Sequence, residues 1–209
     1  MSTDEFVLYN TDEQSKVEKP PAQTLRLVSP DHPFLYKQIP DFDFTDPPVN
    51  PTELASALVE TCKQNNGLGL SANQCGFLHR VFVMGAGEEY VAFFNPKLVS
   101  TEGEVHMDEG CLSFPMLQLK ITRPKSIVVE YQDHKGEKHT KRFEGITARC
   151  FLHELDHMNG IVYTDRVKPL ALQLGLKKLS KLNKKMLKFQ KFKLNNKNAL
   201  PNGNKKSIS

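Results

Sequence analysis

The order of apolar and polar positions divides the chain into a strand-rich middle and three helical stretches. In "NPTELASALVETCKQNNG", residues 50–67, Leu54, Leu58 and Cys62 return every four residues. Asn50 can cap that helix, Pro51 suits its first position and Gly67 can stop it. Short β-rich runs follow: "RVFVM", "YVAFFNPKLV", "LQLKITRP", "SIVVEYQD" and "KHTKRFEG", with "DHKG" as a turn between the last two. The second helix is "ITARCFLHELDHMNG", residues 146–160, closed by Gly160. On it Ile146, Cys150, His153 and His157 fall at steps of four, three and four, while Phe151, Leu155 and Met158 lie along another face. A helix apolar over so much of its circumference belongs inside. The fold class expected is therefore α+β, with mixed or antiparallel strands packed around a central helix that carries HELDH. From Pro169 to residue 194, apolar side chains recur at steps of three and four among lysines, which predicts a C-terminal amphipathic helix.

These elements imply a division into four parts. Residues 1–23 are polar and end in a Pro-Pro pair, which reads as a disordered arm. Residues 24–168 form the folded domain, 169–194 the basic helix and 195–209 a frayed tail. Composition refines the picture at two points. The net charge of +4 hides an asymmetry: residues 166–209 carry Arg166 and twelve lysines with no acid, leaving 15 basic and 24 acidic groups in residues 1–165. The four cysteines, Cys62, Cys75, Cys111 and Cys150, are scattered through a chain large enough to need no staples, so free thiols are expected. No run of about 18 apolar residues is present, so no spanning helix is expected. The N-terminal stretch lacks a basic segment followed by an apolar run, so no secretory leader is expected and the protein is placed in a cytoplasm, a host's cytosol if the source is a virus.

Chemistry enters with "HELDH", residues 153–157. Positions i and i+4 lie one above the other on a helix, so His153 and His157 can present imidazole nitrogens to one metal ion, with Glu154 beside the open position. Two histidines leave such an ion short of protein ligands, because hydrolytic sites commonly use three and a water. "EGCLSFP", residues 109–115, has no clear helical or strand period and offers the thiol of Cys111. "GLGLSANQCG", residues 67–76, brings glycines that permit close backbone approach and the amide donors of Gln74; it lacks the pattern of a phosphate loop.

Three blocks in order, "GLGLSANQ" (67–74), "EGCLS" (109–113) and "HELDH" (153–157), resemble the signature motifs of the peptide deformylases, and the similarity extends over roughly residues 24–168. The resemblance implies removal of the formyl group from the N-terminal methionine of nascent polypeptides, with release of formate. It implies Cys111, His153 and His157 as metal ligands with a water as fourth. It makes Glu154 the general base and acid, and Gln74 with the backbone N–H of Leu112 the oxyanion donors. Gly69 would line the substrate path, Gly110 and Arg149 would adjoin the substrate, and Glu109 and Arg123 would support the site. Ser71 stands where the family usually has alanine, and Arg149 where relatives often carry an apolar residue near the methionine pocket. The ion implied is Fe(II), with Zn(II), Ni(II) or Co(II) able to take its place; ligand softness does not separate them.

Two other functions share parts of this pattern. A zinc metallopeptidase also uses H-E-x-x-H, but "EGCLS" and the lack of a distal His or Glu motif speak against it. A ribosome or nucleic-acid binder with a structural metal would have no use for Glu154. For the basic helix three roles stay open: docking on the ribosome, as extensions of some relatives do, packing on the domain, or lying on a membrane surface. A monomer is favoured.

Overall fold

In the computed structural model of the protein, residues 24–197 are described, with side chains through 193. The expected arm over residues 1–23 and the tail from residue 198 onward lie outside them. The chain divides into two compact units, one ending at Val167 and the other starting at Lys168.

The first unit opens with proline-punctuated loops and helix α1 (Pro51–Gln64). Asn50 caps α1 by accepting from the N–H groups of Thr52 and Glu53, at 3.0 and 3.2 Å. Strands β1 (Gly69–Ser71), β2 (Val81–Ala86), β3 (Glu89–Glu102), β6 (Ser126–Gln132) and β7 (Lys138–Glu144) form one antiparallel sheet in the order β1-β2-β3-β6-β7. Strands β4 (Val105–Cys111) and β5 (Phe114–Arg123) pair with each other as a separate hairpin. Helix α2 (Gly145–Met158) follows β7.

The sheet is covered on both faces at its β1-β2-β3 end, which explains why β2 reads as an unbroken apolar run. Phe82 and Met84 point into the cluster around α2, while Val81 and Val83 point into the cluster around α1. Phe151 of α2 meets Phe82 and Phe93 edge-on, with ring centroids 5.1 and 5.4 Å apart. The other side of α2 faces the β4–β5 hairpin, whose Ile121 carbonyl accepts from Arg149 at 3.1 Å. Every residue of α2 from Thr147 to Met158 is buried. Its C-terminal end is held by Arg80, which donates to the Met158 carbonyl and to the Asn159 side-chain Oδ1, each at 3.0 Å. The α+β class and the central helix are as the sequence predicts.

Two expectations about the first unit need correction. The segment around "EGCLS" is not aperiodic, because Glu109, Gly110 and Cys111 close strand β4. Gly69–Ser71, read as part of a glycine loop, is the edge strand β1. The second unit contains helix α3 (Pro169–Lys197), which runs to Lys197 rather than ending at residue 194. Its Leu174, Met186, Leu187, Phe189 and Phe192 are exposed. Among the described residues no helix is long and apolar enough to cross a membrane.

Replacing Phe151 with alanine would remove the ring on which the sheet and α2 meet. A loss of about 3–5 kcal/mol of stability is expected, read as a lowered midpoint in thermal or denaturant unfolding.

Candidate metal centre

The rise of α2 stacks His153 over His157, with ring centroids 5.1 Å apart. Cys111, at the end of β4, brings its Sγ to 3.4 Å from His157 Nε2. One donor atom from each of Cys111, His153 and His157 lies within 4.8 Å of the others. An ion about 2.3 Å from sulfur and about 2.0 Å from nitrogen fits such a triangle. The three residues therefore suit a mixed sulfur–nitrogen metal site.

The surroundings fix one imidazole more firmly than the other. His153 Nδ1 lies 3.2 Å from Glu109 Oε2, which leaves its other nitrogen for the site. His157 Nδ1 is buried without a partner, although its backbone carbonyl accepts from Asn73 Nδ2 at 2.9 Å. Burial pushes the His157 pKa well down, so that ring is neutral. Burial acts the same way on His153, but hydrogen bonds to Cys111 and Glu109 and the charge of Glu154 outweigh it and raise that pKa to about 10.

Glu109 is the hub behind the centre. Its Oε1 accepts from Arg123 Nε at 2.8 Å and from Arg149 Nη1 at 2.5 Å, and its Oε2 from Arg123 Nη2 at 2.9 Å. Burial opposes its charge, yet the hydrogen bonds of Arg123 and His153 bring its pKa to about 2. Arg123 also donates to Asp156 Oδ2 at 2.6 Å, and Arg166 holds the same carboxylate. Arg149 lines the cavity, but its guanidinium is committed to Glu109 and to the carbonyls of Ile121 and Val105. Both Nη atoms are thus turned to the protein, while Nε is buried without a partner.

A cavity of about 540 Å³ opens beside the centre. Gly69, Gln74, Glu109, Gly110, Cys111, Leu112, Arg149, His153 and Glu154 all line it, so the structure brings the expected residues, His157 and Arg123 apart, to one cavity. Glu154 is 3 % exposed, its Oε2 has no hydrogen-bond partner, and burial raises its pKa to about 7. Gly69 makes room for it: a Cβ there would stand 2.5 Å from Glu154 Oε1. Gln74 is oriented by Ser71, whose N–H and hydroxyl both donate to its Oε1 at 2.9 Å. Its Nε2 therefore points the other way, to Cys111 Sγ at 3.3 Å and Ser113 Oγ at 3.1 Å.

Several residues of the site carry no signal that sequence reasoning used. Asn73 lies inside a quoted block but was given no role, and Arg80 and Ser113 were not singled out. Tyr163, whose ring centroid is 5.6 Å from that of His153, also escapes notice. Each acts through a contact distant in sequence.

A cysteine sulfur and two imidazoles converging beside a buried carboxylate, on an α+β frame, have the form of a mononuclear metallohydrolase centre. The sequence model of the polypeptide deformylase family matches residues 24–173. Peptide deformylase 2 of Clostridium acetobutylicum is 45 % identical over 102 residues, which cover 49 % of this chain and 68 % of that one. The crystal structure of the peptide deformylase from Thermotoga maritima superposes with a TM-score of 0.66 at 36 % identity, covering 70 % of this chain and 99 % of that one. That of a peptide deformylase from Legionella pneumophila gives 0.71 at 28 % identity, covering 79 % and 98 %. The chain belongs to the polypeptide deformylase family and is a hydrolase.

Arg123→Ala would leave two buried carboxylates short of partners. It is expected to cost about 3–5 kcal/mol of stability and, through the freed His153, to weaken metal affinity by about 10- to 100-fold. Denaturant unfolding and competition with a chelator measure the two effects.

Proposed function

We propose that the protein hydrolyses the formyl group from the N-terminal formyl-methionine of nascent polypeptides, releasing formate. The observation that carries this is the buried, unpartnered carboxylate oxygen of Glu154, held in the same cavity as a three-donor metal site. Cys111, His153 and His157 would hold the ion. When bound, a divalent cation supplies Lewis acidity, which polarises a carbonyl and brings the pKa of water from about 15.7 to nearer 7.

The protein's own groups divide the remaining work. Glu154 takes the proton of the attacking water as its oxygen bonds to the formyl carbon. The same carboxyl then delivers that proton to the amine nitrogen as the C–N bond breaks, so formate and a free N-terminus leave. Charge gathering on the formyl oxygen is met by Gln74 Nε2, already aimed by Ser71, and by the backbone N–H of Leu112. Gly69 keeps the space beside Glu154 open. Glu109 and Arg123 hold His153 in place, and Arg149 works with them rather than on substrate.

We take Fe(II) as the native ion, on the family resemblance; the Cys-His-His donor set also accepts Zn(II), Ni(II) or Co(II). The lysine-rich helix α3, with apolar residues exposed along it, supports docking on the ribosome near emerging chains. A monomer working in a cytoplasm fits that assignment.

Anaerobically purified protein is expected to contain iron and to release formate from formyl-Met peptides while leaving unblocked peptides intact. Glu154→Gln is expected to lower kcat by about 10²-fold or more with the metal content kept. Cleavage of unblocked peptides, or full turnover by Glu154→Gln, would overturn the assignment.

A further inference from the structure

Strands β4 and β5 do not pair as a plain ladder. Glu109 faces Leu119 and Cys111 faces Phe114, so Gly110 alone on β4 is set against Pro115, Met116, Leu117 and Gln118 on β5. Extra residues of this kind push a strand outward and re-aim its side chains. Leu117 is anchored inward, buried, with its carbonyl accepting from the Tyr163 hydroxyl at 2.9 Å. Pro115, Met116 and Gln118 line the cavity beside the metal centre. Gln118 lies over Gly110, in the space a Cβ would fill.

Met116 is the unusual member. Its φ is +64°, a left-handed conformation that non-glycine residues rarely adopt. The side chain held there is apolar and 48 % exposed. Leu68, from the segment between α1 and β1, lines the same cavity and is 45 % exposed. Two large apolar side chains thus stand half in water around one opening. Of the charged residues lining that cavity, Glu109, Arg149, His153 and Glu154 are buried, and Asp108 alone is exposed.

An extended peptide alternates its side chains. A methionine side chain set against Ile146 and Cys150, which line the same cavity, directs the next side chain away from them, to the rim. We propose that this rim selects the residue after formyl-methionine: Met116 and Leu68 take up an apolar side chain between them, and Asp108 turns away an acidic one. The proposal rests on the deformylase assignment and adds a specificity to it.

The test is formate release from formyl-Met-Xaa-Ala peptides, with Xaa as Leu, Ser, Lys or Asp, compared through kcat/KM. Partial burial of the leucine side chain should favour Leu over Ser by about tenfold. The Asp peptide should fall below Ser by about threefold or more at low salt, where the charge of Asp108 is least screened. Met116→Gly suits the left-handed backbone and should fold at least as well. It should bring the Leu-to-Ser ratio toward one, as should Leu68→Ser. Asp108→Asn should raise the Asp peptide relative to Ser. Formate from every peptide with ratios inside about twofold, or a Leu-to-Ser ratio unmoved by both apolar variants, overturns the rim's role and leaves the deformylase assignment standing. No formate from any peptide overturns both.

Discussion

The candidate centre depends on one buried carboxylate. Glu109 accepts from Arg123 of β5 and from Arg149 and His153 of α2, so a single side chain of β4 ties together the hairpin and the central helix. Cys111 stands two residues farther along the same strand, and the lock on Glu109 is what brings its sulfur toward His157. Burying so many charges is costly, and the cost is offset only because nearly every donor and acceptor is matched. The match runs through Arg123 to Asp156 and out to Arg166.

The apolar frame sets the terms on which this network works. Phe82, Phe93, Phe143 and Phe151 pack α2 against the sheet and keep water from the back of the helix. Low polarity around α2 raises the Glu154 pKa to about 7, which suits the proton-transfer role proposed for it. Arg80 holds the Met158 carbonyl and Asn73 the His157 carbonyl, so the end of α2 that carries His157 is fixed through its backbone.

Helix α2 was legible because two periodicities coincide on it: an apolar pattern that marks burial, and two histidines four residues apart that mark a metal. Helix α1 was legible from Asn50, Pro51 and the spacing of Leu54, Leu58 and Cys62, all local signals. Strand β4 was not. Its alternate positions Val105, Met107, Glu109 and Cys111 are the more buried ones, but two of them carry polar or reactive groups, and the alternation of hydrophobicity that announces a strand is lost. The bulge in β5 hid itself by interrupting the pairing, and β1 is only three residues long. The three motif blocks could be named from the residues, whereas the Glu109–Arg123–Asp156 chain joins positions far apart in sequence. Arg149 stands where relatives often carry an apolar residue, and its Nη atoms meet Glu109 and two carbonyls, contacts that no local pattern announces.

The central claim is that Cys111, His153 and His157 close around the same cation. X-ray absorption of the zinc-substituted protein tests it most directly. One sulfur at about 2.3 Å and nitrogen or oxygen scatterers at about 2.0–2.1 Å are predicted, with the sulfur shell lost in Cys111→Ser. A metal bound with no sulfur neighbour in the unaltered protein, or a sulfur shell that survives the substitution, would contradict the account.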